Sequence, residues 1–258
     1  MSAAVLPAPV PAKGADVRPG IGRLTLVELR KMTDTRSGFW LLLVTALLTV
    51  AVTVIACFVL ADEDANLLNF FAIATVPASL LLPVVGILLV TSEWTQRTAM
   101  IAFALVPNRP RVLVAKLLAG LVLAAIALQI ALVTGLAATA FAGADGDQTW
   151  SLSAALIGQG AVSITLPMVS GIAFGAVLLS SAPAIVLYYV LPTAWSALGA
   201  IPKLEGAARW LDTSRTTTPL LEETLSSTQW ARLATSVALW TLLPLALGFW
   251  RVLRSDVR

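Results

Sequence analysis

Thr91-Ser-Glu-Trp-Thr-Gln-Arg-Thr-Ala-Met-Ile-Ala-Phe-Ala-Leu-Val-Pro-Asn-Arg-Pro-Arg111, closed by Lys116, is a polar bridge between two apolar runs. Phe70 to Val90 before it carries no charged residue, and Leu117 to Ala142 after it carries none. Each run exceeds the roughly 20 residues that a helix needs to cross a ~30 Å hydrocarbon core. The two flanking spans therefore hold the bridge on one side of a membrane. Glu93, Arg97, Arg109 and Arg111 make it the most basic of the inter-span segments. By the excess of Lys and Arg on cytoplasmic loops, it faces the cytoplasm.

Composition agrees with that reading. Of 258 residues, 58% are hydrophobic and only 12% charged, the balance of a polytopic all-α membrane protein and not of a soluble domain. There is no histidine, which excludes His metal sites, Ser/His triads and histidine proton relays. The one cysteine, Cys57, lies in an apolar run, so no intrachain disulfide forms.

Residues 1–19 contain Pro7, Pro9, Pro11 and Pro19 and read as a disordered cytoplasmic tail, with no cleavable signal peptide. Residues 20–258 form a transmembrane domain with both termini cytoplasmic. Ile21 to Arg36 reads as an amphipathic surface helix, with Ile21, Leu24, Thr25 and Met32 on one side and Arg23, Arg30 and Asp34 opposite. Glu28 falls inside the apolar arc, where it either pairs with Lys31 or meets a cytoplasmic partner. Six spans follow at about 38–60, 70–91, 117–142, 153–180, 184–201 and 230–250. Pro77 and Pro83 predict a kinked or locally opened second span. Gly171 and Gly175 are spaced for close helix contact, within the chain in preference to a dimer interface. The longest external segment runs from Pro202 to Gln229, with short helices expected at 207–211 and 220–225.

Dividing the charges by side tests the topology. Thirteen of the 17 Lys and Arg, but only five of the 14 acids, fall on the bridge side. That side carries +8 and the other −5, together the total of +3.

No Gly-x-x-x-x-Gly-Lys-[Ser/Thr] loop occurs, so the chain by itself has no usual means of binding ATP. Leu225-Ser-Ser-Thr-Gln229 resembles an ABC ATPase signature but lies on the external side, and is read as coincidence. No Asp, Glu, Lys or Arg falls in the interior of a predicted span, which argues against proton- or sodium-coupled transport. Energy must then enter from outside the chain, and the bridge is where it can. Ser92 can cap a helix from Glu93 to about Leu105, stopped by Pro107. Glu93 and Arg97 share a face there at i, i+4, on either an ordinary interfacial helix or a coupling helix that docks into a cytoplasmic protein.

The order of basic amphipathic helix, span, acidic loop Asp62-Glu-Asp64, span, Ser92-Glu93-x-x-x-Arg97-Thr98, Pro107-x-Arg109-x-Arg111 and Lys116, then four more spans, resembles the ABC type-2 permeases of bacterial exporters. Within that family it looks most like small actinobacterial drug or antibiotic exporter permeases. The ending Leu243-Pro244-Leu245 through Gly248, with Arg251-Val-Leu-Arg254 and Asp256-Val257-Arg258, resembles that family's C-terminus. The resemblance implies a permease in a bacterial cell membrane that is not itself an enzyme and holds no cofactor. ATP and magnesium would sit on a separate cytoplasmic ABC ATPase. A second permease copy or paralogue and a lipophilic or lipid-like substrate would complete the partners, with the bilayer and no nucleic acid. Carried over, Glu93, Arg97, Thr98, Pro107 and Arg109 belong to the ATPase-coupling region, and Glu28 to the surface helix beside it. Ser79, Pro83, Tyr188, Tyr189 and Trp195 would line the substrate pathway. The competing expectation is a non-transporting membrane regulator or immunity scaffold that binds a partner through the same face.

Overall fold

The computed structural model describes residues 20–60, 64–95, 109–143 and 149–254. The expected tail at 1–19, and Arg97, Thr98 and Pro107 of the bridge, lie outside the described residues.

Helix α1 (Ile21–Asp34) ends earlier than its sequence pattern suggests, because Thr35 adopts extended backbone. Thr35 then caps α2 (Arg36–Val59), its Oγ1 accepting the Gly38 N–H at 3.3 Å. Gly38 lets this corner close, since a Cβ there would overlap the Met32 carbonyl oxygen. Helix α3 (Leu67–Thr95) continues through both Pro77 and Pro83. Its length corrects one expectation: Ser92 lies inside the helix and caps nothing. The hydrogen-bond ladder of the span simply propagates through the first residues of the bridge. Helix α4 (Arg109–Ala142) likewise absorbs the last part of the bridge and closes on Gly143, at φ +63.

Helix α5 (Ala154–Leu178) is capped by Ser153, and α6 (Ser181–Leu198) follows after two residues. The segment expected to be external folds as α7 (Glu205–Leu211), α8 (Thr213–Thr217) and a 3-10 turn over Thr218–Leu221. The last span combines α9 (Ser227–Val237), a wide π turn at Ala238–Leu242 and α10 (Leu243–Arg254). Ser226 and Gln229 form a reciprocal capping box at its start, so the stretch that resembles an ATPase signature is a helix start. Six helices are long and apolar enough to cross a membrane, and no strand occurs among the described residues. The protein is an all-α polytopic membrane protein.

Its centre is the α3–α5 pair. Gly171 sits on Pro83, where an added Cβ would overlap the carbonyl oxygen and lie 2.7 Å from Cα. Gly175 meets the Ile87 backbone at 3.1 Å, and Gly86 faces the backbone of Met168 and Ile172. Small residues on both helices thus let two backbones approach, which the membrane favours because packing, not hydrophobicity, drives association there. Leu82, Val85, Leu89, Ile164, Met168 and Ile172 fill the space around this contact and are fully buried. Gly171 and Gly175 are used inside the chain, as their spacing suggests.

One side chain fixes the 202–229 segment to this core. Gln159 on α5 is buried; its Nε2 donates to the carbonyls of Leu220 (2.9 Å) and Glu223 (2.8 Å), and its Oε1 accepts the Leu225 N–H at 3.0 Å. Gln159→Leu should cost about 3 kcal/mol, because three backbone groups lose their partner. Thermal unfolding in detergent checks this, and a melting temperature within a degree of the parent would contradict it.

Candidate functional site

Four charged side chains meet at the α3 C-terminus. Glu28 and Lys31 come from α1, one turn apart on the face that α1 turns to the bundle. Glu93 comes from the last turn of α3, and Lys116 from the third turn of α4. Lys31 Nζ reaches Glu28 at 2.8 Å and Glu93 at 2.6 Å. Lys116 Nζ reaches Glu28 at 2.6 Å and Glu93 at 3.1 Å. The result is a closed ring in which every charge touches two opposite ones. Lys116 also donates to the Leu89 carbonyl at 2.9 Å.

The ring is nearly dry. The side chains of Lys116, Glu28 and Glu93 are 4%, 6% and 8% exposed, while Lys31 keeps 41%. Isolated charges so buried would each cost several kcal/mol, and the alternating arrangement is what makes burial tolerable. Burial of Lys31 opposes its charge, but Glu28 first and then Glu93 outweigh that and hold its ammonium above the ordinary lysine value of 10.5. A group with a raised folded pKa stabilises the fold at all pH below its unfolded value, and the contribution is lost as pH rises through the folded one. Thermal stability should therefore stay level from pH 7 to about 9.5 as far as this lysine is concerned, and fall only above the ordinary lysine range. A drop between pH 7 and 9 that Lys31→Met abolishes would contradict the assignment.

Two expectations change here. Glu28 and Glu93 point inward and are satisfied within the chain, so Glu93 is not on the exposed face of a separate bridge helix. Lys116, read as the rim of the bridge, lies in the helix of the third span, and Glu93 in that of the second. Glu93 and Lys116 thus each lie near the end of a span and are neutralised by the ring. Arg109 begins α4, and its side chain falls outside the described residues. The same end of the bundle collects further cations: Arg251 donates to the Val177 carbonyl near the α5 C-terminus at 2.5 Å, and Arg254 lies 4.8 Å from the Trp250 ring centroid.

The second feature is a cavity of about 340 Å³ between α3, α5, α6 and the last span, with α8 against it. Ser79, Tyr188 and Tyr189 line it. Pro83 and Trp195 do not: Pro83 is packed against Gly171, and Trp195 lies outside the lining, its Nε1 buried without a hydrogen-bond partner. Tyr188 stacks edge-on against Phe174 and Tyr189, and the Tyr189 hydroxyl donates to the Leu80 carbonyl. No Asp, Glu, Lys or Arg contributes to the lining. Sequence reasoning missed Ser170 and Thr241, whose hydroxyls bond each other across α5 and the π turn. A widened turn beside Pro244 was the available signal.

Among the described residues no group of three or more Cys, Asp or Glu is placed to hold a metal. No protein-family model matches this chain, and no curated protein does either.

Proposed function

We propose that this chain is the membrane-spanning permease subunit of an ATP-driven ABC exporter. The observation that carries the reading is the buried charge ring. It ties the amphipathic helix α1 to the ends of α3 and α4, the two helices that flank the 96–108 segment. A partner that displaces α1 or that segment must move α3 as well, and α3 lines the cavity. That is the mechanical requirement for a subunit driven from one face. A surface helix of a passive membrane protein needs only lipid beneath it, and burying two acids under it would be a cost without a return.

In this reading the end that carries the ring is cytoplasmic, in line with the excess of basic residues there. The ATPase is a separate chain that contacts α1 and the bridge, with Arg97, Thr98, Pro107 and Arg109 as contact residues. Glu28 and Glu93 act one layer beneath, transmitting movement without touching the partner. The chain alone is then expected neither to bind nor to hydrolyse ATP, and stoichiometric ATP binding by the purified chain would contradict this. The positive test is co-purification with the ABC ATPase encoded nearest to it, followed by ATP hydrolysis in lipid. The proposal expects a stable complex whose hydrolysis depends on this chain. If no complex forms, and the ATPase works equally well without the chain, the non-transporting scaffold is the better reading.

A further inference from the structure

Gly160 meets Phe71, Gly171 meets Pro83 and Gly175 meets Ile87, so α3 and α5 run parallel and Gln159 lies at the end opposite the charge ring. The 202–229 segment held by Gln159 caps that end. It contains a pocket of about 240 Å³ lined by Arg209, Arg215, Thr216, Pro219, Gln229 and Arg232. The three arginines come from three helices, α7, α8 and α9, and among the described residues no acid joins them in the lining. Like charges converging from separate elements repel one another unless a counter-charge can enter between them. Two of the three have an acid nearby. Arg209 Nη2 reaches Glu205 at 2.9 Å; Arg215 Nε lies 3.4 Å from Asp212, with its Nη2 on the Gly199 carbonyl. A guanidinium has five donors, so each keeps others for a ligand. Arg232 has no acid among the described residues. Its Cζ stands 5.8 Å from the Trp210 ring centroid, and its Nε is buried without a hydrogen-bond partner. A buried donor left unmatched is costly, and here it borders a pocket that an acceptor can enter.

The charge decides the sign of the ligand. A cation is repelled by three guanidinium groups, and a neutral ligand leaves the Arg232 charge unanswered. An oxyanion answers it, and the planar guanidinium fork matches oxyanions bidentately. Although the sequence makes this end of the molecule net acidic, its acids are occupied beside the pocket: Glu205 and Asp212 as above, and Glu223 by Gln229 Nε2 at 2.6 Å. The tryptophans decide which oxyanion. Trp210 and Trp230 of the segment are exposed, as is Trp150 beside Thr149, whose carbonyl accepts the Leu67 N–H at the start of α3. Exposed tryptophans at the end of a membrane bundle sit at headgroup level, where the abundant oxyanion is the phosphate of phospholipids. A choline or ethanolamine beside that phosphate would be repelled by the same arginines. We infer that this pocket binds the phosphate of an anionic phospholipid headgroup and so ties the 202–229 segment to the membrane surface. The inference does not depend on the permease reading.

The test uses the full chain in a neutral maltoside detergent and equilibrium dialysis against three probes: dihexanoyl phosphatidylglycerol, dihexanoyl phosphatidylcholine and inorganic phosphate. Empty micelles supply the partitioning background. Saturable one-to-one binding of the phosphatidylglycerol is expected. It should be at least about tenfold tighter than the choline lipid, which the arginines repel, and than phosphate, which the micelle does not hold at that level. Arg232→Gln should weaken the phosphatidylglycerol about tenfold, and the more exposed Arg209→Gln about threefold. Arg232→Gln removes a buried unmatched donor, so the variant should fold; Arg209→Gln, at an exposed position, reads the same pocket if it does not. Arg254→Gln is the control, since Arg254 also lies beside a tryptophan but at the ring end, and it should bind the lipid like the parent. Absence of saturable phosphatidylglycerol binding, binding untouched by both pocket variants, or equal weakening by Arg254→Gln would overturn the inference. So would a choline lipid held as tightly. Inorganic phosphate bound as tightly as the lipid, and lost in Arg232→Gln, would make this a site for a soluble oxyanion and overturn the headgroup assignment.

Discussion

Lys116→Ala is expected to destabilise the bundle by about 3–5 kcal/mol, the largest effect of any single side-chain truncation here. The lysine is buried and bonds Glu28, Glu93 and the Leu89 carbonyl together. Its removal leaves two buried carboxylates with only the half-exposed Lys31 between them. That is the uncompensated burial that makes a broken ion pair far costlier than an absent one. Removing charge in a matched way should behave differently: Lys116→Met with Glu93→Gln leaves Glu28 paired to Lys31 and should cost only about 1 kcal/mol. Urea or thermal unfolding in mild detergent separates the two. A Lys116→Ala cost below about 1 kcal/mol would mean that water reaches the ring, and the tie between α1, α3 and α4 would lose its physical basis.

Gly171→Ala is the second large effect, and its sign is informative. In an isolated helix the change would gain about 1 kcal/mol. Here the new Cβ would overlap the Pro83 carbonyl oxygen and crowd its Cα at 2.7 Å, both of them backbone and neither able to rotate away. Overpacking of this kind typically costs 1–3 kcal/mol, so against the helix gain a net loss of up to about 2 kcal/mol is expected. Gly158 on the same helix has nothing within 4 Å, and Gly158→Ala should be neutral or stabilising by up to about 1 kcal/mol. If both changes stabilise, α3 and α5 are not in backbone contact at Gly171, and the centre of the fold is misplaced.

The two results bear on how much was legible beforehand. Uncharged runs of 20 or more residues define spans almost irrespective of packing, so the six helices were readable, and so was the close contact implied by Gly171 and Gly175. Glu28 was readable as an anomaly, an acid within an apolar arc. Its partner was not, because Lys116 lies 88 residues away and local periodicity says nothing about which helices meet. Ser92 illustrates a different limit. A capping serine competes locally with helix continuation, but the ladder arriving from α3 wins and carries Glu93 into the ring. In the cavity, Ser79, Tyr188 and Tyr189 were chosen as polar or aromatic residues within spans and do line it. Pro83 faces Gly171 instead, since its own position in the close α3–α5 contact, invisible in one helix alone, decides where it points.

The central claim is that force applied at α1 and the bridge reaches the cavity through the ring. The most direct measurement is ATP-dependent movement of a lipophilic compound across vesicles that hold this chain and its ABC ATPase. The parent and the Glu93→Gln, Lys116→Met variant are compared at equal amounts of assembled complex. The account predicts ATP-driven movement by the parent, absent when either chain is omitted. The variant should remain folded and bound, and should hydrolyse ATP while transport falls by about 5–150-fold, the range of a coupling energy of ~1–3 kcal/mol. No ATP-driven movement by the parent, or equal movement by both, would contradict it.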